Sequence, residues 1–136
     1  MKITVTTAVN APLERVWQVW NNPNDIIQWC SPSEEWHTPK SENDLREGGS
    51  FTSTMAARDG SASFDFTGVY DQVDLHRFIA YTMEDGRKVE ISFENQDGQT
   101  VLTETFDAES INPAEMQRAG WQAILDNFKK YTEQQA

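Results

Sequence analysis

The side chains best equipped for chemistry in this sequence are two histidines, one cysteine, a tyrosine in a strand-like run and a glutamine on an apolar helix face. Metal binding needs several donors at fixed spacing, and neither His37 nor His76 has a cysteine or second histidine at such a spacing. No metal site is expected. His76 lies in Asp74-Leu75-His76-Arg77, which reads as a turn and makes it an exposed structural histidine. His37 follows Trp36 in an expected strand, where it is either a rim residue or a pocket acid or base. Cys30 has no cation beside it in sequence to lower its pKa, so a buried or partly buried inert thiol is expected. There is no Gly-x-Ser-x-Gly nucleophile turn and no phosphate-cradling glycine loop, and no cofactor is expected.

The aromatic and methionine side chains are the stronger candidates for a site. Phe64 and Phe66 share one strand face, as do Phe51 and Met55, and Tyr81 and Met83 point together. Trp36 and Trp121 add large rings, and methionines supply adaptable lining. Such residues either fill a solid core or line a hollow one. Asp65, between Phe64 and Phe66, should face solvent by alternation. Gln117 lies near the middle of an apolar helical arc, where its amide needs a partner. That partner is either backbone near the helix start or a ligand carbonyl or hydroxyl. The candidate ligand-binding set is therefore Trp36, Phe51, Met55, Phe64, Phe66, Tyr81, Met83, Gln117 and Trp121.

The elements that must position these residues can be read from periodicity. Ile3, Val5, Thr7 and Val9 alternate with polar neighbours as in a half-buried strand. Asn10 is the expected cap of a first helix, with Pro12 in its first turn and Leu13, Val16, Trp17 and Trp20 as its apolar stripe. Asn21 to Asn24 should end that helix, and Asp25 to Trp29 should form a second short one. Strands are expected near 36–42, 49–57, 62–73, 77–84, 88–96 and 100–108. Asp59-Gly60, Asp85-Gly86 and Asp97-Gly98 are dipeptides of tight hairpins, and three of them in succession argue for an antiparallel meander. Gly48-Gly49 suits positive φ or a bulge at a bend, and Arg46 beside it can pair with Asp44 or Glu47 or lean over a pocket mouth. Asn112, Pro113 and Glu115 read as the capped start of a long last helix, whose apolar residues from Met116 to Tyr131 cover more than half its circumference. A stripe that wide suits a helix gripped by a curved sheet. The fold expected is α+β: a curved antiparallel sheet around a long C-terminal helix, with two short N-terminal helices.

Composition bounds the rest. The 136 residues fit one domain, 1–136, with no repeat or linker, and 38% hydrophobic with 24% charged residues is an ordinary globular balance. With 22 acidic against 11 basic residues the net charge is −11, which disfavours nucleic acid and anionic lipid as partners. No run approaches the ~20 apolar residues of a membrane span, so no membrane insertion is expected. The N-terminus lacks a signal-peptide apolar core, and a single cysteine rules out an internal disulfide framework, so a cytoplasmic location is expected.

Ala11-Pro12 with Val16-Trp17, Asn22-Pro23, Trp29, Asp44-Leu45-Arg46-Glu47-Gly48-Gly49-Ser50-Phe51, Asp59-Gly60, Gly68-Val69-Tyr70, Tyr81-Thr82 and Gly120-Trp121 with Leu125 span nearly the whole chain. In this order they resemble the activator of heat-shock-protein ATPase homologue (AHSA-like) branch of the START and birch-pollen-allergen (SRPBCC) superfamily. Residues Trp121 to Phe128 resemble a bacterial subgroup labelled polyketide cyclase. The resemblance implies the helix-grip fold and an apolar pocket. It implies less about chemistry, because members include ligand carriers, cyclases, hormone receptors and a co-chaperone domain. The chain opens on the first strand of the grip, without the additional N-terminal domain of the eukaryotic co-chaperone, so chaperone stimulation is not the leading expectation. The leading expectation is a small soluble protein that holds an apolar molecule (lipid-like, aromatic or polyketide-like) between sheet and last helix. The alternatives are a cyclase or hydrolase using His37, Tyr81 or Gln117, and a module with a protein partner.

Overall fold

The computed structural model describes residues 1–31 and 33–134. In chain order its elements are β1 (Lys2–Val9), α1 (Leu13–Asn21), α2 (Pro23–Trp29), β2 (Trp36–Asn43), β3 (Ser50–Ala57), β4 (Ser63–Asp74), β5 (Phe78–Met83), β6 (Lys88–Gln96), β7 (Gln99–Asp107) and α3 (Ala114–Gln134). The seven strands form one antiparallel sheet in the order β1-β7-β6-β5-β4-β3-β2. Strands β2 to β7 are a meander, and β1 closes the far edge on β7. The chain therefore crosses the sheet between β1 and β2, and α1 and α2 carry it across. The sheet curls into a half-barrel, and α3 packs along β1 while α2 packs along β2. This is the α+β helix-grip arrangement expected from the sequence.

Turn chemistry sets the hairpins, but in two different ways. Only Asp97-Gly98 is a two-residue turn with both φ values positive, 52° and 84°, closing the Gln96–Gln99 pair. At Asp85-Gly86 and Asp59-Gly60 only the glycine is left-handed. There Gly86 N–H donates to the Met83 carbonyl at 2.9 Å and Met83 N–H to the Arg87 carbonyl at 2.7 Å, giving a longer loop with glycine at its αL position.

The helix starts differ from the expected ones. Asn10 does not cap α1. Pro12 is the capping residue, extended at φ −68° and ψ 153°, and its carbonyl takes the Val16 N–H at 3.0 Å. Asn10 N–H instead donates to Glu133 Oε2 at 2.8 Å, tying the end of β1 to α3. The first helix ends at Asn21 with Asn22 as its C-cap, within the expected segment, and α2 begins at Pro23, two residues earlier than expected, with the Asn22 side chain accepting from Asn24 N–H at 3.0 Å. At α3 the Asn112 side chain is drawn to Glu109, and Pro113 supplies the first carbonyl, accepting from Met116 N–H at 3.1 Å.

The core lies between the sheet and the C-terminal half of α3. Ile3, Ile91, Leu102, Phe106, Leu125 and Phe128 are fully buried there. Trp20, Trp29 and Phe128 form a ring cluster with centroids 4.8–4.9 Å apart, and Trp29 Nε1–H donates to the Val19 carbonyl at 3.1 Å. Each such ring pair adds ~0.5–1.5 kcal/mol beyond area burial. The buried stripe of α3 is narrower than expected, because Met116 and Ala119 are exposed. Between the first turns of α3 and the concave face of the sheet lies a space.

Candidate functional site

The space is a cavity of about 390 Å³ between the concave sheet and the N-terminal half of α3. Its size falls in the lower part of the ~300–1,000 Å³ range of small-molecule sites. Gln117, Gly120, Trp121 and Ile124 form its helical wall. Phe51, Met55, Phe64 and Phe66 line it from β3 and β4. These four point inward because alternation along each strand puts every second residue on the concave face.

The rings interlock. Phe51 meets Phe66 at 5.7 Å, Tyr70 at 5.4 Å and Tyr81 edge-on at 4.8 Å. Trp121 stacks on Phe106 at 3.8 Å with planes 10° apart and meets Phe66 edge-on at 6.1 Å. Phe64 is half exposed at the open end, and Met116 lies at the same rim.

Seven of the nine candidate residues face the cavity: Phe51, Met55, Phe64, Phe66, Tyr81, Gln117 and Trp121. Trp36 and Met83 do not. Met83 has the inward parity of Tyr81 but sits at the last position of β5, where the core closes over it. Trp36 begins β2 and packs edge-on against Phe64 at 5.9 Å, behind the lining rather than in it. His37 is half-buried and also outside the lining. His76 has a left-handed backbone at φ 65° and lies half-buried, edge-on to Trp17 at 5.8 Å, outside the cavity lining. Asp65 faces solvent and accepts from Thr54 Oγ1–H at 2.7 Å. Arg46 pairs with Asp44 at 2.9 Å.

Gln117 is buried, and its amide is fully engaged with the loop before α3. Glu109 N–H donates to Oε1 at 2.8 Å, and Nε2–H donates to the carbonyls of Asn112 at 2.8 Å and Glu109 at 3.2 Å. Of the two roles open to it in the sequence, this geometry is the backbone one.

A second polar group hangs inside the rim. Tyr70 OH donates to Asn43 Oδ1 at 2.6 Å, and Asn43 Nδ2–H donates to the Asn21 carbonyl at 2.8 Å. Burial raises the Tyr70 phenol above its ordinary range, against the lowering effect of Asn43. Ser41 and Ser53 share a hydrogen bond at 3.0 Å. Cys30 is partly exposed as a residue, but its thiol is enclosed, and burial pushes it up to about 12. It is an inert thiol.

Glu104 was not singled out by the sequence reading. It lies on β7 with Val5 and Ile91 opposite it on the flanking strands, is 5% exposed, and lines the cavity. Among the described residues no donor or cation relieves its carboxyl, and burial alone pushes it up to about 8. The signal was present: Thr100, Leu102, Glu104 and Phe106 share one parity on β7, and the other three are buried. Tyr81 is the other buried O–H at the inner end. Burial first, then the negative charge of Glu104, raises its phenol well above the ordinary value. Among the described residues no group of three or more His, Cys, Asp or Glu is placed to hold a metal ion.

The curled sheet, the long last helix and the space between them define a helix-grip domain. The sequence from residue 10 to residue 133 matches the family described as activator of Hsp90 ATPase homolog 1-like protein, and the chain belongs to that family. An AHSA1-like protein from Aeromonas hydrophila, determined by NMR in solution, is 45% identical, with a TM-score of 0.93 over 99% of this chain and 94% of its own. A protein from Cytophaga hutchinsonii is 55% identical, with a TM-score of 0.86 over 98% of this chain and 93% of its own. A protein from Chromobacterium violaceum shares the fold at 23% identity, with a TM-score of 0.87 over 98% of both chains. No curated protein matches the chain. Among the described residues no helix is long and apolar enough to cross a membrane.

Proposed function

We propose that this protein is a cytoplasmic binding protein for a small apolar molecule held between the sheet and the N-terminal half of α3. The observation that carries the reading is the aromatic-walled cavity of about 390 Å³ between the sheet and α3. Burying a ring-bearing ligand there removes apolar surface from water at ~25 cal/mol per Å2 on both partners. The exposed rims of Phe64 and Met116 give the ligand an apolar path inward. Phe51, Met55, Phe66, Tyr81 and Trp121 are the proposed contact residues.

A catalytic reading of the cyclase or hydrolase kind has less to work with. His37 is outside the cavity, and Gln117 is spent on backbone. Of the three residues that the sequence offered for such chemistry, Tyr81 alone presents a free polar group to the space.

Native mass spectrometry after gentle purification, together with titration of a fluorescent apolar probe, tests the binding role. Expected is a co-purified small molecule or saturable uptake of one probe per chain. A ligand-free protein that takes up no probe overturns it.

A further inference from the structure

The inner end of the cavity holds two O–H groups with nothing to bond to. Glu104 is 5% exposed and Tyr81 6%, yet both line the open space. Among the described residues neither has a hydrogen-bond partner. Buried polar groups are normally paired, and an unpaired one costs ~1–3 kcal/mol. Both line the open space, so what fills the cavity, water or a ligand, supplies their partners.

Their placement follows from the sheet. Tyr81 on β5 pairs with Val89, and Val89 with Phe106. Glu104 sits two residues before Phe106, opposite Ile91 and one row along the concave face. The small hydrophobic floor of Val89 and Ile91 lies between them. The Tyr81 phenol is raised by burial first and then by the Glu104 carboxylate once that has ionised, while Glu104 is raised by burial alone.

We propose that Glu104 and Tyr81 together donate hydrogen bonds to a carbonyl oxygen of an uncharged, ring-bearing apolar ligand held in this cavity. The inference rests on the binding role proposed above and names the chemistry of the ligand.

The choice of an uncharged acceptor follows from the surroundings. At neutral pH Glu104 keeps its proton, with its carboxyl held up to about 8 by burial, so it offers a donor rather than a charge. Tyr81 likewise stays a phenol. The titratable groups facing this end are Tyr70 from β4, Cys30 after α2, Arg87 from the β5–β6 hairpin and Glu109 from the loop before α3. Arg87 is already paired with Asp85 at 2.7 Å. A cationic amine would have to share the cavity with that guanidinium and would first have to strip the Glu104 proton. A carbonyl needs neither. The aromatic walls then cover the apolar rings that flank it.

The test uses three probes of one shape: 2-acetylnaphthalene, 2-ethylnaphthalene and 1-(2-naphthyl)ethylamine. Each is titrated into the full chain by calorimetry at pH 6.5 and pH 9.5. Expected is a roughly five- to tenfold tighter Kd for the ketone than for the hydrocarbon at pH 6.5, the scale of one hydrogen bond. That preference should shrink at pH 9.5, where Glu104 has lost its proton. Tyr81→Phe should reduce the preference of ketone over hydrocarbon, read as the ratio of the two Kd values in the same variant. Glu104→Leu should reduce it too, and Glu104→Gln, which still carries an N–H, should keep most of it and lose its pH dependence. Equal binding of ketone and hydrocarbon overturns the assignment of Glu104 and Tyr81 while the binding role stands. An amine that outbinds the ketone overturns it in favour of an ion pair. Failure of all three probes overturns the binding role and this inference with it.

Discussion

The ring of Phe51 lies directly against Gly68. A Cβ at Gly68 would stand 2.7 Å from Phe51 Cε1 and 3.1 Å from Tyr81 Cδ1. The two residues are register partners across β3 and β4, and the missing side chain lets Phe51 lean over β4 to meet Tyr81 edge-on at 4.8 Å. One wall of the cavity is therefore set by the absence of a methyl group.

Gly68→Ala should push Phe51 into the cavity. Its backbone is not in the left-handed region, so the cost comes from crowding rather than strain. Overpacking of this kind costs ~1–3 kcal/mol, partly offset by the ~0.5–1 kcal/mol that alanine gains over glycine in a strand. A net loss of about 1 kcal/mol in urea melts, with weaker uptake of an apolar probe, is expected. Unchanged probe uptake would show that Phe51 does not shape the cavity.

Trp121 stacks face to face on Phe106 at 3.8 Å, but it is only partly buried because it borders the cavity. Trp121→Ala should cost about 2–3 kcal/mol, below the ~3–5 kcal/mol of a fully enclosed aromatic, since part of the indole has no packing to lose. Thermal melts measure it. A loss under ~1 kcal/mol would mean that the stack contributes almost nothing.

Gln117→Leu should destabilise the protein although leucine suits an apolar helix face. The substitution leaves Glu109 N–H and the Asn112 and Glu109 carbonyls without their side-chain partner. A loss of about 1–3 kcal/mol is expected, with faster amide exchange at Glu109. A variant as stable as the parent would show that water replaces the amide at no cost.

What the sequence made legible follows from period and turn chemistry. Every strand boundary lies within a residue or two of its expected place, because alternation and the Asp-Gly pairs are local signals. Helix starts were less legible: Asn10 and Asn112 are good caps in isolation, but the Asn10 backbone N–H is tied to the distant Glu133 and the Asn112 amide to Glu109 three residues before it. For the cavity, parity shows which residues point inward, not where the sheet and helix part. Met83 and Tyr81 share a face, yet one lies under the closed core and the other lines the inner end of the cavity. Glu104 was hidden for another reason. A glutamate in a strand reads as solvent-facing, and only its phase with Leu102 and Phe106 places it inside.

That buried carboxyl makes a prediction about pH. In the unfolded chain Glu104 titrates near its ordinary 4.5, and in the folded protein at about 8. Below pH 4.5 both states hold the proton and the group contributes nothing to the balance. Between 4.5 and about 8 the folded state holds a proton that the unfolded chain has released, so stability falls as pH rises. Above about 8 both are ionised and the full penalty persists. Glu104→Gln removes this titration while keeping the shape. The variant should match the parent near pH 4 and exceed it at pH 9 by on the order of 3 kcal/mol, reduced from the full displacement by water drawn to the ionised group. Carboxylates held low by their hydrogen bonds, such as Asp107 with Lys2 and Glu133 with Lys129, weaken both proteins alike in acid, so the difference between the two isolates Glu104. Urea unfolding at pH 4, 6.5 and 9 measures it. A gap that stays constant across the three would show that Glu104 ionises in the folded protein as freely as in the unfolded chain, and its cavity would then be wetter than the packing around it allows.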